Sequence, residues 1–325
     1  MSQISSQKPS VSSLHLSKPG FAQRTRSWLY ALWKFSRPHT IVGTSLSVLG
    51  LSMIALALSD DLSIFAGWLP IALTWLACLC GNIYIVGLNQ LEDVEIDQVN
   101  KPHLPIASGE FSHREGWAIV ATTGILALII SATQGYFLMA TVWLSLLIGT
   151  AYSLPPIRLK RFPIWASLCI FTVRGAIVNL GVYSHVNQQL HESSEIPAPV
   201  WALTLFILVF TFAIAIFKDI PDLEGDRLYH ITTFTVRLGQ HAVFNLARWV
   251  LVVCYLGMIL VATVLPGVNA AFLGMTHLIT LGVFWGLSTQ VNLQDKTDIA
   301  EFYQFIWKLF FLEYLMFPLA CLLAH

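Results

Sequence analysis

Residues 65–97 read FAGWLPIALTWLACLCGNIYIVGLNQLEDVEID, an apolar stretch that runs without a charge from Phe65 to Leu91 and then into a cluster of acids. A run of this length is enough to cross a bilayer, which takes roughly 20 residues of helix. Helical spacing at i, i+4 and i+8 puts Asn89, Asp93 and Asp97 on one face. A second apolar run ends the same way, in Lys218-Asp219-Ile220-Pro221-Asp222-Leu223-Glu224-Gly225-Asp226. There Asp222 and Asp226 repeat the four-residue step, and Asp219 precedes them by a turn. Carboxylates at a membrane edge are costly and point to function. Crowded together, they raise each other's pKa unless a cation sits among them. Hard divalent cations take oxygen ligands, and Mg2+ typically binds one or two carboxylates and shares the rest of its shell with substrate phosphates. A single cluster fits a solvated helix end; two matched clusters favour a site for a metal and a diphosphate.

The rest of the chain extends the membrane reading. Of its 325 residues, 56% are hydrophobic and 11% charged, against about 25% charged in soluble domains. Net charge is zero, so nothing favours a nucleic-acid partner. Apolar runs of spanning length fall near 40–58, 65–88, 117–134, 137–154, 163–184, 198–217, 243–264, 270–288 and 305–323. The fold expected from them is an all-α membrane protein of about nine transmembrane helices. Basic residues decide its orientation. Lys8, Lys18, Arg24, Arg26, Lys34 and Arg37 precede the first run; Lys101 and Arg114 follow the second; Arg158, Lys160 and Arg161 follow the fourth; Lys218, Arg227 and Arg237 follow the sixth; Lys296 follows the eighth. The alternate loops 59–64, 185–197 and 265–269 hold no Lys or Arg. By the positive-inside rule both acidic clusters are cytoplasmic.

All five cysteines (Cys78, Cys80, Cys169, Cys254 and Cys321) lie inside apolar runs and read as small core residues. Residues 1–27 are Ser-rich and without acids, and read as a flexible polar tail or a short transit segment. Each acidic cluster is followed by a polar segment with bases, one around Lys101 and one from Arg227 to Gly239. Acids that hold a metal beside bases that hold phosphate oxygens are what a diphosphate site needs. The clusters end runs two and six, which suggests a four-helix unit used twice with a ninth helix added. Arg174 is a basic residue deep inside a run and requires a partner. Asn179 in the same run is placed to tie helices together.

The pattern N-x-x-x-D-x-x-x-D with a later D-x-x-x-D resembles the signature of the UbiA superfamily of intramembrane prenyltransferases. Further segments are similar to its homogentisate prenyltransferase branch, most closely the cyanobacterial phytyltransferases of tocopherol synthesis. These are Phe35-Ser36-Arg37-Pro38-His39-Thr40, Val86-Gly87-Leu88-Asn89-Gln90-Leu91, Tyr152 to Arg161, Lys218 to Arg227 and Phe302 to Leu309. The resemblance runs from about residue 30 to the end. It implies a single transmembrane prenyltransferase domain over 28–325 around a central cavity. It further implies Mg2+ as cofactor, phytyl diphosphate and homogentisate as partners within the lipid bilayer, and a thylakoid or cytoplasmic membrane of a cyanobacterium. It assigns Asp93, Asp97, Asp222 and Asp226 to the Mg2+–diphosphate site, with Asn89 a turn earlier. Tyr152, Arg158 and Lys160 match positions that meet diphosphate oxygens, and Lys101 is a candidate for the same task. Asp219 joins the second cluster or orients Lys218. Arg37 is expected at the acceptor carboxylate, at the diphosphate, or as a membrane anchor. Trp75, Tyr84, Trp143, Tyr152 and Phe212 are candidate aromatic walls for a carbocation. Glu92, Glu95 and Glu224 fall off the shared faces and read as solvated.

Two other readings compete. A transporter would explain acids in a membrane protein but not the accompanying bases on the same side. A UbiA enzyme with another donor, solanesyl or geranylgeranyl, or another acceptor, chlorophyllide or a quinone precursor, would share every motif.

Overall fold

The computed structural model describes residues 21–58 and 68–324; Lys8, Lys18, most of loop 59–67 and His325 lie outside the described residues, as does the tail up to residue 20. Helix α1 spans Phe21–Phe35. Residues 21–27, read above as tail, are therefore its first turns. The reason lies at its other end, where Ala31 and Phe35, one turn apart, are buried and pin the helix against Leu88, Leu91 and Phe111.

The spanning helices follow in order. They are α2 (Pro38–Ala57), α3 (Trp68–Glu92), the short α4 (Val94–Asn100), α5 (His113–Gln134) and α6 (Tyr136–Ser153). Next come α7 (Pro163–Phe171) and α8 (Val178–His191), joined without a break by a π turn over Thr172–Ile177 into one span. Then follow α9 (Ala198–Phe217), the short α10 (Leu223–Leu228) and α11 (Phe234–Leu238), α12 (Gln240–Ala262), α13 (Ala270–Ser288) and α14 (Lys296–Leu322). Nine helices among the described residues are long and apolar enough to cross a membrane, as expected.

Helices α2, α3, α6, α7–α8, α9 and α14 contact one another in turn and close a ring, with α5 packed outside α3 and α6 and α12 and α13 outside α9 and α14. The far end of the ring is shut where α8 meets α2, with His191 Nε2 3.3 Å from the Ala55 carbonyl. Large aromatic and aliphatic side chains fill the wall between α2, α9 and α14, among them Leu51, Ile54, Phe210, Phe310 and Phe317. The outer surface is also apolar: Leu147, Leu205 and Leu260 are 65%, 63% and 71% exposed. A belt of this kind is stable when the surrounding solvent is lipid rather than water.

Candidate active site

At the open end of the ring the two acidic clusters face each other. Each hangs from a spanning helix through a break and a short helix. Helix α3 does not run on through the motif; it stops at Glu92, and Asp93 leaves helical geometry (φ −115°, ψ 23°) before α4 resumes. The single helical face expected for Asn89, Asp93 and Asp97 is thus two segments. The bond from Asp97 N–H to the Asp93 carbonyl (2.7 Å) keeps the step, and all three residues line one cavity of about 1190 Å³. Across from them, Asp226 N–H donates to the Asp222 carbonyl at 3.1 Å. Helix α4 meets α10 directly. Gly225 N–H donates to Asn100 Oδ1 (2.9 Å), and a Cβ on Gly225 would come within 2.5 Å of that amide, so only glycine fits there. Lys101 Nζ completes the junction, 2.6 and 2.5 Å from the two oxygens of Asp222.

Eleven of the twelve candidate residues line this cavity: Arg37, Asn89, Asp93, Asp97, Lys101, Tyr152, Lys160, Lys218, Asp219, Asp222 and Asp226. Arg158 is not in the wall. It backs Asp93, donating to its carboxylate at 2.9 Å and to the Glu92 carbonyl at 3.3 Å. Asp93 also accepts from Lys160 (2.6 Å) and Asn89 (3.0 Å), and Asp219 accepts from Lys218 at 2.6 Å. Arg37 reaches Asn89 at 3.4 Å and lies 3.9 Å from Asp97. Both arginines hold left-handed backbone, with φ of 53° at Arg37 and 38° at Arg158. Such strain in a non-glycine residue persists where surrounding structure enforces it, and it clusters at functional sites.

The charges are balanced but unevenly paired. Six acids and six bases line the cavity, Glu301, Lys34 and Lys308 included. Asp97 is only 4% exposed, and its buried Oδ2 has no hydrogen-bond partner. Burial raises its pKa against the pull of Arg37 and Lys101. Asp226 forms no ion pair, and burial lifts its carboxyl to about 7, with Lys218 opposing. Burial likewise raises Asp219, against Lys218. At Lys218 burial favours the neutral amine, but Asp219, Tyr152 and Asp222 outweigh it and hold the ammonium well above the ordinary lysine value. Burial lowers Lys160, and Asp93 opposes the shift. Desolvated, incompletely paired carboxylates of this kind suit an added cation. No three Asp, Glu, His or Cys side chains among the described residues form a metal cage by themselves. The donor set therefore fits Mg2+ held partly by a ligand's phosphate oxygens, not by protein alone.

Some residues lie elsewhere than expected. Arg227 and Arg237 are exposed and take no part in the cavity, so the second basic segment supplies no base to it. Glu224 is exposed and pairs with Lys296, and Glu95 is exposed, as their off-face positions implied. Of the five candidate wall aromatics, only Tyr152 lines a cavity. Trp75 and Trp143 are 40% and 47% exposed on the outer surface, Tyr84 bonds Thr150 between α3 and α6, and Phe212 packs on Phe171. The wall aromatics are instead Tyr303 and Trp307, from the start of α14. They stand one helical turn apart, at the spacing that puts two side chains on one face.

Beneath the site a smaller cavity of about 250 Å³ reaches into the ring. It shares Arg37, His39, Asn89, Tyr152, Lys218 and Tyr303 with the larger one. Its wall contains Arg37, Arg174 and Lys218 but no Asp or Glu. Asn179 ties helices as expected, accepting from Tyr314 at 2.7 Å and donating to the Gly175 carbonyl at 2.7 Å.

Known proteins share both the sequence and the fold. Residues 45–309 match the UbiA prenyltransferase family. The homogentisate phytyltransferase of Synechocystis sp. is 51% identical over 304 residues, covering 91% of this chain and 97% of its own. The chloroplastic homogentisate solanesyltransferase of Arabidopsis thaliana is 40% identical over 295 residues, 89% and 76% of the two chains. A UbiA homolog from Archaeoglobus fulgidus solved with GPP and Mg2+ has the same fold, with a TM-score of 0.60 at 16% identity over 89% of this chain and 99% of that one. Two acid clusters at span ends, brought to one cavity by a ring of helices, thus accompany a family match across most of the sequence. This chain is a member of the UbiA prenyltransferase family.

Proposed function

We propose that the protein transfers a prenyl group, phytyl in the first place, from its diphosphate to homogentisate, with loss of the acceptor's carboxyl group as CO2. The product is then 2-methyl-6-phytylbenzoquinol, a precursor of tocopherol. The observation that carries this reading is the meeting of Asp93 and Asp97 with Asp222 and Asp226 around one cavity, in a chain half identical to a homogentisate phytyltransferase. Asp93, Asp97, Asp222 and Asp226 are the residues to hold Mg2+, with Asn89 and Asp219 beside them. Bound there, Mg2+ supplies positive charge for the negative charge that builds on the departing diphosphate.

The chain's own residues do the rest. Lys101, Lys160, Lys218 and Arg37 present charged donors to the diphosphate, exchanging their acid partners for phosphate oxygens. Arg158 steadies Asp93 from behind. As the allylic C–O bond breaks, positive charge spreads over the prenyl carbon, and the π faces of Tyr152, Tyr303 and Trp307 favour it by ~0.5–2 kcal/mol. The ring carbon of homogentisate attacks that carbon and gives up its proton. Apolar walls keep water, the competing nucleophile, away from the cation. The reading places the protein in a thylakoid or cytoplasmic membrane with the site on the cytoplasmic side.

The donor is the less constrained half, since a solanesyltransferase is nearly as similar over the same span. Purified protein given homogentisate with phytyl, geranylgeranyl or solanesyl diphosphate, with Mg2+ or with chelator, tests the reading. The expected result is Mg2+-dependent release of CO2 and a methyl-prenylbenzoquinol, with phytyl preferred. Turnover of chlorophyllide or a benzoate precursor, and none of homogentisate, overturns the acceptor.

A further inference from the structure

Arg174 is the charge that the diphosphate site does not use. It sits on the π turn between α7 and α8 and lines the inner cavity. Turns of this kind are rare and are found frequently at functional sites. Its guanidinium carbon lies 5.1 Å from the Trp307 ring and 5.5 Å from the Phe310 ring. Gly43 of α2 leaves room beside it: a Cβ there would stand 3.2 Å from the nearer guanidinium nitrogen. Among the described residues no carboxylate is in ion-pair range of Arg174. Ring faces offset part of the cost of a buried cation. They accept none of the planar, forked hydrogen bonds that a guanidinium makes best to a carboxylate. The chamber around it has Arg37 and Lys218 as further cations and no acid. Such a wall favours an anionic occupant. The diphosphate does not fill that need, because the outer cavity already gathers six bases and the metal-binding acids.

We propose that Arg174 receives the carboxylate of the aromatic acceptor and makes the inner cavity selective for aryl acids. This rests on the prenyl-transfer reading above. Arg37, held by Asn89 and Asp97 at the boundary of the two cavities, stays with the outer site. Arg174 faces the ring of Trp307, and Trp307 stacks on His39 at 4.8 Å. With its carboxylate on Arg174, the acceptor lies with its ring toward the shared wall, where the prenyl carbon arrives.

The test compares two acceptors, homogentisate and 2-methylhydroquinone, which is homogentisate without its carboxyl group. Wild-type protein should favour homogentisate by at least tenfold in kcat/KM. In Arg174→Gln the KM for homogentisate should rise roughly ten- to hundredfold, the worth of a charge-assisted hydrogen bond. The KM for the prenyl diphosphate and the turnover of 2-methylhydroquinone should hold, so that the preference collapses. Arg174→Lys, which keeps charge but loses the fork, should fall between. A purely structural Arg174 would lower yield and thermal stability and leave the preference intact, which overturns the proposal. Should Arg174→Gln fail to fold, equal handling of the two acceptors by wild type overturns it alone. If wild type turns over neither acceptor, the prenyl-transfer reading falls as well. Wild-type turnover of homogentisate with an unchanged preference in the variants removes only Arg174.

Discussion

At the open end of the ring, Asp93, Asp97, Asp222 and Asp226 share a large cavity with lysines and arginines; deep between α13 and α14, His277 and Glu313 share no cavity at all. His277 Nε2 stands 3.1 Å from Glu313 Oε2, both side chains are 0% exposed, and the rings of Phe206 and Tyr255 lie 5.5 and 5.7 Å from the imidazole. The contact is close but poorly aligned, so the carboxylate oxygens count as buried without a well-formed hydrogen bond. His277 Nδ1 is fixed by the Leu273 carbonyl at 2.9 Å. The two regions show that burial of charge alone does not mark a site. In the first, pairs can exchange partners because a ligand can reach them. In the second nothing can enter, and the pair serves only to join two helices.

The sharpest way to break this comparison is to remove the site acids. Asp93→Ala, Asp97→Ala, Asp222→Ala and Asp226→Ala should each lose more than roughly a hundredfold in turnover, the usual loss when one group that stabilises transition-state charge is removed. Thermal stability should hold, or rise for Asp97→Ala, because a buried carboxylate without full pairing costs free energy in the fold. Turnover near the wild-type level, measured on protein matched for folded content, would remove these residues from the metal site.

Glu313→Ala should do the reverse. Removing one member strands the other, and broken buried pairs cost roughly 3 kcal/mol or more in stability. Both substrates' KM values should stay where they are. The measurement is thermal unfolding in detergent beside steady-state kinetics. A shifted KM with an unchanged unfolding midpoint would make the pair part of the site and erase the distinction.

What sequence makes legible here depends on how each feature is encoded. The spans are plain because twenty apolar residues admit little else. The acids stand out because carboxylates at span ends are expensive. The break at Asp93 was hidden, since the i, i+4, i+8 spacing is equally that of one straight helix. Facing could not be read either. Trp75 and Trp143 turn outward and Tyr303 and Trp307 inward, yet all lie in helices that are apolar all round, where periodicity carries little signal. Cost at mid-span singled out Arg174, and the same rule applies to Glu313, which passes unnoticed among its aromatic neighbours. The left-handed backbone at Arg37 and Arg158 has no counterpart in their residue type.

The smallest expected effect is the most local control. Glu95 and Asp97 are two residues apart on α4, carry the same charge and differ in one respect: Glu95 points to solvent, whereas Asp97 is buried in the cavity wall. If the acids mattered only by lending negative charge to the membrane edge, Glu95→Ala and Asp97→Ala would weaken the enzyme together, and added salt would weaken the wild type too, because exposed charges are screened over about 8–10 Å at ordinary ionic strength. If position in the cavity is what counts, Glu95→Ala should keep wild-type turnover, wild-type KM for both substrates and the same Mg2+ requirement. Side-by-side Mg2+ titrations of the two variants decide the matter. A higher Mg2+ requirement in Glu95→Ala would mean that α4 turns its outer face to the metal as well, and that the two-segment geometry at Asp93 rearranges when ligands bind.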